Sequence, residues 1–116
     1  MRQNGAVGRS EEQAALNESV FREANDRIAE RRAELTSVDG PTPFLCECED
    51  PRCTEIVRLT LDEYERVRCE STQFVVVPGH PTDGEVADGL GGDGWVCVRK
   101  HGAGGEIVRE TDARRP

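Results

Sequence analysis

Three cysteines fall within eight positions in the run Cys46-Glu47-Cys48-Glu49-Asp50-Pro51-Arg52-Cys53. Thiols at this density point to metal ligation, because thiolates are preferred donors for soft and borderline ions and core packing gives no reason to cluster them. Cys46 and Cys48 stand two apart, so in an extended chain both sulfurs leave the same face. Asp50-Pro51 is a turn signal that folds the backbone round and lets Cys53 approach the same point. A structural zinc takes four N or S ligands in a tetrahedron, so one position remains to be filled. His80 is the expected fourth ligand, because a strand and a Pro78-Gly79 turn present it rigidly. Cys97 comes next, with His101, Cys69 or a water behind it. Zinc is preferred to an iron–sulfur cluster because the spacing matches no common ferredoxin pattern. The competing reading is three free thiols, since the run lacks the paired Cys-x-x-Cys form of many zinc sites.

The surrounding composition suits one structural zinc ion. In 116 residues, 35% apolar against 33% charged leaves a modest core, and a metal held only by the folded chain contributes on the order of 10 kcal/mol. No apolar run follows Met1, so neither a signal peptide nor a membrane span is expected and the expected location is cytoplasmic. Five cysteines in a reducing compartment favour ligation over a disulfide framework. A net charge of −8, with arginines interleaved among glutamates, offers no basic face to a phosphate backbone, so no direct nucleic-acid partner is expected.

The elements that must position these residues follow from periodicity. The chain divides into a disordered N-terminus (1–9), an amphipathic helix (10–39), a zinc-binding α+β domain (40–100) and a flexible tail (101–116). The helix runs from Ser10 to about Leu35, with Ser10 and Gln13 as a capping box, Glu18–Arg22 and Glu23–Arg27 as supporting pairs, and Ala14, Phe21, Ile28 and Leu35 at seven-residue intervals. That stripe either packs on the protein's own domain or docks a protein partner, and it is too thin for more than a monomer or weak homodimer. Glu55–Leu59, Phe74–Val77 and Trp95–Val98 read as about three short strands of an antiparallel sheet, the second of them buried on both faces. Thr60-Leu61-Asp62-Glu63 is a capping box opening a short helix through about Cys69. Asp83–Gly94 reads as loop, with at most a weak helix near Glu85–Leu90, and Cys69 and Cys97 read as plain buried residues.

Three patterns together resemble a group of short, largely uncharacterised bacterial proteins: Phe44-x-Cys46-Glu47-Cys48 with Cys53, Leu59-Thr60-Leu61-x-Glu63-Tyr64-Glu65-x-Val67-Arg68, and Phe74-x-Val76-x-Pro78-Gly79-His80. The likeness covers roughly Phe21 to Lys100 and includes the helix segment Phe21–Ile28. It implies that the three cysteines and the histidine act together as ligands, and it implies no activity. Pro81 stands where the related proteins tend to carry an acidic residue, and the glycine-rich stretch from Gly84 departs from them.

The function expected from these features is a small zinc-stabilised, non-enzymatic adaptor or regulatory protein that binds another protein through its helix and its acidic knuckle of Glu47, Glu49 and Asp50. Three thiolates leave zinc a poor Lewis acid, and no His-Glu motif or phosphate-cradling loop accompanies them. A redox-sensitive zinc switch is one alternative. A zinc-dependent hydrolase whose metal is held by the three cysteines and a water, using Glu47, Glu49 or Glu55 as base, is the other.

Overall fold

The computed structural model describes residues 2–35 and 40–114, with side chains from Glu11 onward except that of residue 88. The fold is α+β. In chain order it comprises α1 (Arg2–Glu34), β1 (Thr42–Leu45), β2 (Ile56–Leu59), α2 (Leu61–Val67), β3 (Gln73–Val76), β4 (Glu85–Gly92), β5 (Trp95–Arg99) and α3 (Gly102–Glu110). The strands form two antiparallel sheets, a β1–β2 pair and a three-stranded sheet in the order β3-β5-β4.

The three-stranded sheet divides the core in two. Along β3 and β5, Phe74, Val76 and Val98 join one cluster with Cys46, Cys48, Ala15 of α1 and Val108 of α3. Val75, Trp95 and Cys97 join the other, with Phe44, Leu59 and Tyr64. The alternation follows from the two-residue period of a strand, and it buries β3 on both faces as its unbroken apolar run predicts. Phe44 and Tyr64 stack with ring centroids 4.4 Å apart. Tyr64 is carried by α2, whose Thr60–Glu63 capping box forms in both directions.

Several expectations need correction. The helix begins at Arg2, so residues 2–9 are helical and Ser10 lies inside α1 and not at its cap; residues 36–39 lie outside the described residues. The Glu55–Leu59 strand pairs with β1 and takes no part in the larger sheet. The stretch read as loop supplies its third strand, β4, against β5. Glycine permits this: Gly92 lies under the Trp95 indole with no room for a Cβ, and Asp93-Gly94 turns the hairpin with Gly94 at φ 83°. The tail read as flexible forms α3, because Gly105, where a Cβ would sit 3.1 Å from the Lys100 carbonyl oxygen, lets the helix lie close against the end of β5.

The inner face of α1 is largely polar. Glu18, Ser19, Arg22, Asn25 and Asp26 are all buried along with Ala14, Ala15 and Ala29. Each polar side chain has a partner on the body. Ser19 shares a 2.7 Å hydrogen bond with Thr111, and Arg22 donates to the carbonyls of Ser71 and Val108 while lying over the Phe74 ring. Asp26 accepts from Tyr64 Oη at 2.7 Å and from Arg68. Glu18 meets Lys100, so the expected Glu18–Arg22 pair is replaced by cross-element contacts, whereas the exposed Glu23–Arg27 pair forms at 3.3 Å. No helix among the described residues is long and apolar enough to cross a membrane.

Candidate metal centre

The four expected ligands come together. Ligand atoms of Cys46, Cys48, Cys53 and His80 all lie within 4.8 Å of one another. Two turns bring this about. Asp50 to Cys53 forms a β-turn closed by Cys53 N–H donating to the Asp50 carbonyl at 3.0 Å, with Asp50 Oδ1 accepting from Arg52 N–H at 2.9 Å. Val77 to His80 forms another, closed by His80 N–H donating to the Val77 carbonyl at 3.0 Å, with Pro78 in the second position and Gly79 at φ 87° in the third. That is the type II pattern, and it demands glycine or asparagine at the third position.

Spacing within the cluster fits a tetrahedral zinc. His80 Nδ1 stands 3.5 Å from Cys46 Sγ and 3.6 Å from Cys53 Sγ. Bonds of about 2.3 Å to sulfur and 2.0–2.1 Å to nitrogen, meeting at the tetrahedral angle, separate S and N by about 3.6 Å. Nδ1 is therefore the nitrogen that faces the centre. Cys46 and Cys48 are buried within the core cluster, whereas Cys53 and His80 are half-buried at its rim. Val77 N–H donates to Cys46 Sγ at 3.3 Å, the kind of backbone contact that orients a ligand sulfur. Burial pushes the Cys46 and Cys48 thiols upward, so an ion binding here displaces protons.

The competitors for the fourth position lie elsewhere. Cys97 belongs to the core cluster across the sheet. His101 Nε2 is exposed beside Glu85 at 3.6 Å. Cys69, expected to be buried, is exposed beyond the end of α2.

The residues between the ligands do not form an acidic surface. Glu47 is fully buried, accepting from Asn25 Nδ2 at 2.8 Å and from Val75 N–H at 2.9 Å. Burial pushes its carboxyl up to about 7 against the pull of these hydrogen bonds. Only Asp50 and, in part, Glu49 remain open to solvent. A second acidic group, Glu18, Glu49 and Asp83, lies beside the knuckle. Its cation is already present, because the Lys100 ammonium contacts Asp83 and sits 2.8 Å from Glu18 Oε1, although neither Glu18 oxygen receives a well-directed hydrogen bond. Sequence reasoning missed Asn25, Lys100 and Glu18, since nothing in their local pattern distinguishes a buried polar side chain from a solvated one.

Comparison with known proteins finds no family model, no curated protein and no solved structure that matches this chain. What points to a metal here is therefore the grouping of Cys46, Cys48, Cys53 and His80 in this molecule.

The four residues of the helix stripe have divided fates. Ala14 is buried, Phe21 and Ile28 are half-buried with Ile28 packed on the core, and Leu35 is exposed.

Proposed function

We propose that the protein is a zinc-stabilised, non-enzymatic adaptor. The observation that carries this reading is the place of His80 Nδ1, 3.5 and 3.6 Å from two sulfurs, which completes a four-donor set. Four protein donors leave no position for a reactive water, and closure of this kind is the mark of a structural zinc site. A hydrolytic site of three cysteines and a water draws no support from Glu47, whose carboxylate is committed to Asn25 and Val75. One zinc held by the folded chain alone would add on the order of 10 kcal/mol, comparable to the net stability of a small domain.

The adaptor half of the reading rests on a groove of about 380 Å³ between the end of α1 and β1. Ile28, Leu35, Thr42 and Pro43 line it together with Arg27, Arg31 and Arg32 along its α1 side. Of the surfaces expected to bind a partner, the helix stripe and the acidic knuckle, this reading keeps only the Ile28–Leu35 end of the stripe. An apolar groove with arginines along one side suits a partner segment whose apolar anchor is followed by carboxylates that compete with Glu23 and Glu34 for Arg27 and Arg31. The zinc half is tested by metal content and by melting with and without chelator. The adaptor half is tested by capture on wild-type and Ile28→Asp/Leu35→Asp bait of equal zinc content; equal recovery of every bound protein contradicts it.

The half-exposed position of Cys53 favours a redox-sensitive switch as second reading. A peroxide would take two electrons from Cys53 and a neighbouring thiolate, forming a disulfide and water and releasing the ion. Zinc retained after mild peroxide treatment contradicts it.

A further inference from the structure

The chain from Leu45 to Glu49 is read differently on alternate residues. Cys46 and Cys48 supply sulfurs to the metal cluster, whereas Leu45, Glu47 and Glu49 are bonded to α1. Asn25 makes three of these four bonds. Its Oδ1 accepts from Leu45 N–H at 2.8 Å, and its Nδ2 donates to the Leu45 carbonyl at 2.9 Å and to Glu47 Oε2 at 2.8 Å. The side-chain amide thus takes the place that a neighbouring strand would hold beside Leu45, satisfying both backbone groups at once. Asn17 Nδ2 adds a 3.4 Å contact to the Glu49 carbonyl.

Glu47 passes the constraint onward. Its backbone N–H donates to the Val75 carbonyl at 2.8 Å while its Oε1 accepts from Val75 N–H at 2.9 Å. Two residues beyond Val75, Val77 donates to Cys46 Sγ and opens the turn that carries His80. Asn25 and Glu47 are both fully buried, so water cannot replace either partner.

We propose that Asn25 is a positioning residue for the metal centre, fixing through Leu45 and Glu47 the direction in which Cys46 and Cys48 present their sulfurs, so that docking of α1 and capture of the ion reinforce each other. The proposal rests on the zinc reading of the cluster. Outer partners of metal ligands commonly govern affinity by about 10–100-fold, and linkage requires the effect to run both ways.

The test compares zinc affinity by chelator competition, and the cobalt(II) thiolate spectrum, in wild type, Asn25→Ala and Ser19→Ala. Ser19 ties α1 to Thr111 and not to the knuckle, so it reports a purely structural loss. Asn25→Ala should weaken zinc by about 10–100-fold and change the cobalt bands, with Ser19→Ala unchanged in both. Asn25→Asp should also weaken binding by setting two carboxylates together, and adding Glu47→Gln should restore part of it by recreating a donor–acceptor pair. Should Asn25→Ala not fold, amide exchange in wild type decides: chelation must speed exchange in α1 around Asn25 as well as in residues 45–49. Wild-type zinc affinity and cobalt spectrum in Asn25→Ala, or α1 exchange indifferent to chelator, overturns the proposal while leaving the zinc reading intact. A wild-type chain that takes up no zinc overturns both.

Discussion

Arg68, just past the last turn of α2, grips Asp112, two residues beyond α3, through two hydrogen bonds of 3.1 and 2.5 Å. The same guanidinium reaches Asp26 of α1 at 2.8 and 3.0 Å, so one buried cation joins three elements from opposite parts of the chain. Burial alone would raise the Asp112 carboxyl, but hydrogen bonds from Arg68, Ser71 and the Arg114 N–H outweigh it and hold it well below the usual carboxylate range.

The C-terminal segment should therefore be part of the folding unit. Arg68→Met leaves Asp26 and Asp112 buried without their shared cation, and removing one partner of such a network typically costs about 3–5 kcal/mol. Deleting residues 102–116 also removes the Val108 carbonyl from Arg22 and Thr111 from Ser19. Urea denaturation of both variants should show midpoints far below wild type. A truncated chain with the wild-type midpoint would return this segment to the status of a loose tail.

Ligand identity has a direct signature. Cys48→Ser should lose zinc and melt at lower temperature, whereas Cys69→Ser, altering an exposed thiol, should change neither. Cys97→Ala should keep its zinc and lose only about 1 kcal/mol of packing. His80→Ala should weaken zinc binding much more than His101→Ala. Elemental analysis of the purified variants decides, and a greater loss in His101→Ala would move the fourth ligand away from the Pro78-Gly79 turn.

Glu18 should give the stability a specific pH dependence. Burial pushes its carboxyl up to about 7 despite the Lys100 ammonium, against 4.5 for the ordinary group. The folded chain then holds a proton that the unfolded chain releases between pH 4.5 and 7. Protonation stabilises, so this contribution is fully present below pH 4.5 and is lost as pH rises through 7. A separation of that size corresponds to about 3 kcal/mol. The difference in unfolding free energy between wild type and Glu18→Gln should therefore shift in favour of wild type as pH falls from about 7.5 to about 5. A constant difference across that range would show that Glu18 titrates normally.

What the sequence made legible was local chemistry. The sulfurs of Cys46, Cys48 and Cys53, the Pro78-Gly79 turn ahead of His80, the Thr60–Glu63 capping box and the twofold burial of β3 each depend on a few adjacent residues. The misreadings arose where distant partners change a residue's meaning. Glu18, Arg22, Asn25 and Asp26 look solvated along α1 but are buried because Lys100, Val108, Leu45 and Arg68 answer them. Glycines suggesting looseness at Gly92 and Gly105 instead permit close approach of Trp95 and of Lys100. The Asp93-Gly94 pair before an apolar run was a hairpin signal within reach of sequence reasoning.

Native mass spectrometry of gently purified protein, paired with thermal melts before and after chelation, tests the central claim most directly. The expected result is a mass corresponding to one zinc per chain and a melting temperature that falls when the ion is stripped and recovers when zinc is returned. An apo mass with a cooperative melt indifferent to chelator would contradict it.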